Sequence, residues 1–152
     1  MKQIFFAQKA LIVKDNRLLM IRKSKDEHPN PLKWDVPGGR IEYGEEINDS
    51  LVREIYEETG LRAIIGRPYY LRQWFIARES LEMQVIGVYR ACACYDAIMT
   101  NANSTETEQI ELIEWIPLDK VLELDLMPGM AEVMKEFIKD FKIGKLEFPI
   151  LS

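Results

Sequence analysis

Two periods alternate along the chain. Ile4 to Val13 and Arg17 to Arg22 are β-rich runs parted by Lys14-Asp15-Asn16, whose Asp and Asn suit a tight turn, so a β-hairpin is expected. Ser24 to Leu32 is polar, carries Pro29 and Pro31, and reads as a surface loop with His28 solvated in it. Trp34-Asp35-Val36 reads as a short strand running into Pro37-Gly38-Gly39, where glycine allows a sharp turn and a close backbone approach to a ligand. The period then changes: Ile47, Leu51 and Ile55 recur four apart, the stripe of an amphipathic helix, and Gly60 supplies its stop. Leu61 to Ile65 begins a strand that Gly66-Arg67-Pro68 breaks. Tyr69 to Arg78 and Met83 to Tyr95 follow as long strands, joined by a turn at 79–82 and expected at the centre of a sheet. After a polar loop from Asp96 to Thr107, Ile110 to Ile116 returns to strand and Pro117 opens a short helix through Leu124. Pro128 opens a longer helix, about 128–142, with Met130, Val133, Met134, Phe137, Ile138 and Phe141 on its core stripe and Gly144 at its end. Strands before and after one helix, with further helices at the C-terminus, predict an α/β fold with a mixed sheet covered on both faces.

Length and charge narrow the function. The 152 residues, 47% hydrophobic and 30% charged, fit a single domain (1–152) with a sizeable core. A net charge of −5 argues against a protein that grips duplex nucleic acid through its backbone, but leaves a nucleotide substrate open. Gln8 and Lys9 interrupt the apolar run near the N-terminus and no small-residue cleavage site follows, so no signal peptide is expected. No apolar run is long enough to span a membrane, which predicts a cytoplasmic protein, monomer or homodimer, without a membrane partner. Cys92 and Cys94 lie two apart in one strand, on the same side, and read as buried reduced thiols.

The densest chemistry lies between Gly39 and Leu61. Its skeleton is Gly39, Glu45 six residues on, then Arg53-Glu54-Ile55, Glu57-Glu58 and Gly60-Leu61. At about 100° per residue, Glu54, Glu57 and Glu58 fall within roughly one third of the helix circumference, at one edge of the apolar stripe. Like charges so close repel by roughly 2 to 3 kcal/mol at an effective dielectric near 20. Among local side chains only Arg53 relieves that repulsion. A hard divalent cation would relieve it too, and carboxylates without nearby Cys or His favour magnesium or manganese over zinc.

This skeleton, with Pro37 and Gly38 upstream, resembles the box of the Nudix hydrolases with every fixed position filled. The resemblance implies an α/β/α sandwich with a mixed β-sheet. It also implies a hydrolase that cleaves the diphosphate linkage of a nucleoside diphosphate derivative, with water as nucleophile and usually magnesium as cofactor. Carried over by position, Glu54, Glu57 and Glu58 match the metal ligands and the Gly39 carbonyl an additional one. Arg53 matches the arginine that orients a box glutamate, and Glu45 an outer acid. The general base comes either from the box helix, with Glu58 and Glu54 the catalytic candidates, or from a later glutamate among Glu106, Glu108 and Glu111; Glu108 is favoured. Arg22 is a candidate for a substrate phosphate or equally a surface ion pair, and Trp74 and Phe75 for stacking on a nucleobase or for the core. Pro68 comes too early for the mark of ADP-ribose specificity, and Ile76 to Arg78 lack the tyrosine of dinucleoside polyphosphate enzymes. Nucleoside triphosphates, modified nucleotides and nucleotide sugars all stay open. A nucleotide-sensing module that does not cleave would be expected to lose box glutamates, and an isomerase of small diphosphates to carry an early cysteine.

Overall fold

In the computed structural model, which describes residues 1–103 and 110–151, the chain begins with a hairpin of β1 (Lys2–Lys14) and β2 (Arg17–Lys23). Asp15 and Asn16 alone form its loop, both at positive φ (51° and 57°), the two-residue turn whose twist matches that of the flanking strands. The short strands β3 (Trp34–Asp35) and β4 (Gly38–Arg40) follow and pair with β2 and β1 respectively. Next come α1 (Ile47–Thr59), β5 (Ala63–Ile64), β6 (Pro68–Arg78), β7 (Leu81–Cys94) and β8 (Ile110–Pro117). A 3-10 turn over Leu118–Glu123 leads on to α2 (Met130–Lys142). The strands form one eight-stranded mixed sheet, with β1 and β7 parallel from Lys2 opposite Glu82 to Ile12 opposite Cys92 and the other pairs antiparallel.

Alternation along β1 and β2 feeds two cores. Leu11, Leu18 and Met20 face α2, where they meet Met134 and Phe137; Ala10, Ile12 and Leu19 face α1, where they meet Leu51 and Ile55. The sheet is thus covered on both faces, as expected. The differences are local. Ile47, placed on the core stripe of α1, is 45% exposed, because the first turn of the helix meets polar groups: Gln8 donates to the Ile47 carbonyl (2.7 Å) and Arg90 to Asn48 Oδ1 (2.7 Å). Helix α2 begins at Met130 rather than Pro128, since Gly129 stands at its N-cap in the left-handed region (φ 81°). Among the described strands β6 pairs only with β7, so β7 is central and β6 is not.

Candidate active site

Helix α1 carries the acidic cluster because both of its ends are fixed. The Glu46 carboxylate accepts the Asn48 and Asp49 amides (both 2.9 Å), and Gly60 closes the C-terminus in the left-handed conformation (φ 76°), donating to Tyr56 O. Glu54 and Glu58, one turn apart, are buried on the same edge as Leu51 and Ile55. The Glu54 carboxylate lies directly over Gly39: a Cβ there would stand 2.6 to 2.7 Å from its Cδ and both oxygens. Glu58 Oε1 accepts the Gly38 amide (2.8 Å), whereas its Oε2 is buried without a hydrogen-bond partner among the described residues.

Arg53 organises the outer half of the cluster. Its fork grips Glu45 (2.9 and 3.0 Å), and Nη1 reaches both Glu57 Oε2 and Glu54 Oε1 at 3.2 Å. The hydrogen bonds from Arg53, and then from the Glu42 amide, bring the Glu45 carboxyl down to about 2. Burial does the opposite to Glu58. It pushes that carboxyl up to about 7, although the charges of Lys9 and Lys23 and the Gly38 amide pull it down.

A crevice of about 730 Å³ opens beside the cluster, within the range of small-molecule sites. Gly38, Gly39 and Glu54 form one end; Trp74, Ile76, Met83 and Val85 form an apolar wall. Lys9, buried in β1, donates to Asp35 Oδ2 (2.9 Å). Burial lowers the pKa of the Lys9 ammonium, but Asp35 and then Glu58 raise it by more. Lys23, also buried and lining the crevice, has its pKa lowered by burial and by Lys9.

The expected site residues divide into those brought together and those left apart. Gly39, Glu54, Glu57, Glu58, Arg53 and Glu45 meet at one place. Yet among the described residues no three acidic, His or Cys side chains already form a cage for an ion, with Arg53 lying between Glu54 and Glu57. Trp74 lines the crevice, and Phe75 lies at its rim, 72% exposed. Arg22 does not join them: it pairs with Glu111 (3.0 Å) and lies over Trp34, outside the crevice lining. Glu106 and Glu108 lie outside the described residues. Lys9, Asp35, Lys23, Arg40 and Arg72 were not singled out from the sequence, and neither was the 27–30 segment, read as a plain surface loop, which lines the crevice. A signal for Lys9 was present, a lysine inside an otherwise apolar strand.

An α/β/α sandwich with a glycine-loop-helix presenting buried glutamates to a crevice defines the class. The NUDIX domain family matches residues 7–139, and the chain belongs to it, a Nudix hydrolase. A protein of Bacillus subtilis described as a putative 8-oxo-dGTP diphosphatase is 40% identical over 136 residues, covering 88% of this chain and 77% of that one. The nucleoside triphosphatase NudI of Escherichia fergusonii is 26% identical over 122 residues, covering 76% and 84%. Among solved structures, the MutT protein of Methanosarcina mazei superposes with a TM-score of 0.75 at 22% identity, over 93% of this chain and 97% of that one, a likeness of fold. No helix among the described residues is long and apolar enough to cross a membrane.

Proposed function

We propose that this Nudix hydrolase is a divalent-cation-dependent pyrophosphohydrolase of nucleoside triphosphates or closely related modified nucleotides. The observation that carries the reading is the pairing of Glu54 over Gly39 with Glu58 on the Gly38 amide, leaving a buried carboxylate oxygen of Glu58 without a hydrogen-bond partner among the described residues. Such an oxygen is costly unless something positive meets it. Magnesium or manganese fits this all-oxygen donor set, with Glu54, Glu57, Glu58 and the Gly39 carbonyl as the holding groups. When bound, the ion supplies positive charge against phosphate oxygens and lowers the pKa of water. The chain's own residues do the rest. Arg53 holds Glu45 and steadies Glu54 and Glu57, so that neither has to be ordered when substrate arrives. The crevice lining includes five cationic side chains (Lys9, Lys23, Arg40, Arg72, Arg78) against four acidic ones (Glu27, Asp35, Glu42, Glu54). These cations give a polyanion partners inside a chain of net −5, away from the glutamates that a cation would neutralise. The substrate class also draws on the names of the nucleoside triphosphatase and 8-oxo-dGTP diphosphatase relatives. Glu108 is proposed as general base, accepting a proton from the attacking water.

The test is release of pyrophosphate or phosphate over a panel of nucleoside triphosphates, modified nucleotides and nucleotide sugars with magnesium and with manganese. Cleavage that persists undiminished in chelator would sink the metal assignment, and binding without turnover would point to a sensing module. In the same preparation, Glu108→Gln should lose turnover by about 10² to 10⁴ yet keep its response to magnesium. Magnesium at a hundredfold excess over its dissociation constant should stabilise the protein by about 2.7 kcal/mol. For a domain of this size that is a rise in Tm of roughly 5 to 10 °C. Glu54→Gln should shrink the rise, and a wild-type Tm indifferent to millimolar magnesium would count against the site.

A further inference from the structure

We infer that Arg72 sets base specificity in this crevice by donating to the paired acceptors, O6 and N7, on the edge of a 6-oxopurine. The inference rests on the nucleotide pyrophosphohydrolase reading above. Strands β4, β1, β7 and β6 lie side by side, and their register places Arg40, Ala7, Gly87 and Arg72 in one row across the sheet. Residues paired across strands project to the same face, so the row is a trough: a long cation at each end, the small residues Ala7 and Gly87 between, and the Trp74 indole lying over Gly87 as part of its floor. At about 4.8 Å per strand its ends are roughly 14 Å apart. The next row, Phe5, Val85 and Trp74, walls the trough on its apolar side, and Lys9 with Tyr89 walls the other. The glutamates of α1 stand at the β4 end, with Glu54 over Gly39, so phosphates belong there and the base belongs at β6.

Arg72 is held ready at that far end. Its Nη2 donates to Pro128 O (3.0 Å), its Nη1 to Tyr89 Oη (3.4 Å), and its guanidinium lies over the Trp74 ring, 5.0 Å from the centroid. Two neighbouring glycines make that placement available. A Cβ on Gly129 would come within 2.3 Å of Arg72 Nη2, and one on Gly87 within 2.3 Å of Trp74 Cζ3, so the indole lies down on the sheet and the guanidinium lies against the turn before α2. A guanidinium carries five N–H donors, and these anchors engage one on each terminal nitrogen, so three remain for a ligand on a planar group held in the crevice wall. Two adjacent acceptors, the oxygen and ring nitrogen of a 6-oxopurine, match a fork; the amino group of adenine does not.

The experiment compares kcat/KM of wild type, Arg72→Leu and Arg72→Lys for dGTP, 7-deaza-dGTP, which lacks the ring-nitrogen acceptor, and dATP, all with magnesium. Wild type should prefer dGTP over each of the other two by roughly 5- to 150-fold, the discrimination of one bidentate pair. Arg72→Leu should bring all three within about twofold of one another, and Arg72→Lys, a point charge without the fork, should fall between. If Arg72 were only a strut joining β6 to the turn before α2, Arg72→Leu would lower all three substrates alike, and that result overturns the assignment. Equal use of dGTP and 7-deaza-dGTP by the wild type overturns it too, leaving the hydrolase reading intact. Failure to cleave any of the three overturns the Arg72 assignment, and failure over the whole nucleotide panel as well overturns the hydrolase reading with it.

Discussion

Glu58→Gln is expected to lower turnover at least a hundredfold while making the metal-free protein no less stable at pH 7.5. The two effects share one cause. Glu58 is 2% exposed, and burial raises its carboxyl from 4.5 to about 7. For an acid whose folded pKa lies above its unfolded value, the protonated form is the one folding favours. Its contribution is complete below about pH 4.5 and is lost as pH rises toward 7, by roughly 3 kcal/mol at the upper end. Glutamine keeps an oxygen for the Gly38 amide but never ionises, so that loss disappears from the variant. Urea unfolding in chelator at pH 5 and 7.5 measures the difference: wild type should fall relative to Glu58→Gln between the two. Magnesium should restore the wild type at pH 7.5 and do far less for the variant, since the ion requires the ionised carboxylate. Wild-type turnover in Glu58→Gln would remove Glu58 from the machinery. Glu57→Gln, whose partner is Arg53 rather than a buried amide, should lose activity similarly without the shift in pH dependence.

What the sequence made legible was local. The Asp15-Asn16 turn, the close of α1 at Gly60 and the shared edge of Glu54 and Glu58 each follow from a few consecutive residues, whose conformational preferences need no distant partner. The crevice was not legible, because distant pairings build it. Lys9 meets Asp35 across 26 residues, and Arg72 meets Pro128 across 56. Whether a lysine in an apolar strand is buried or turned to solvent depends on which strand lies beside it. Arg22 shows the converse. Its place at the end of β2 suits a phosphate contact, but Glu111 of β8, next to the Leu112 that pairs with Arg22, takes the guanidinium. For the same reason Ile47 continues a perfect four-residue spacing yet lies exposed: the period describes the helix and not the extent of what it packs against.

The adjacent glycines of the box should give contrasting phenotypes when each is changed to alanine, Gly39→Ala losing activity with its stability intact and Gly38→Ala losing stability. At Gly39 the new methyl would meet the Glu54 carboxylate at 2.6 to 2.7 Å, the mobile end of a flexible side chain, which swings aside at little cost to stability. Swinging aside removes Glu54 from the position over Gly39 on which the proposed metal site depends. Turnover should fall at least a hundredfold, the magnesium-induced rise in Tm should shrink, and stability in chelator should stay within about 1 kcal/mol of wild type. At Gly38 the methyl would lie 2.1 Å from the Gln8 carbonyl oxygen and 2.8 Å from Lys9 Cα, both backbone atoms of β1, and φ is +145°, a conformation that side-chain-bearing residues rarely adopt. Nothing there can move without parting β4 from β1, so the cost should be roughly 3 kcal/mol or more, with Tm lower by about 6 to 12 °C. Circular dichroism melts in chelator, read beside the nucleotide assay, separate the two. A Gly39→Ala protein that keeps wild-type turnover would show that Glu54 does not act from its place over Gly39.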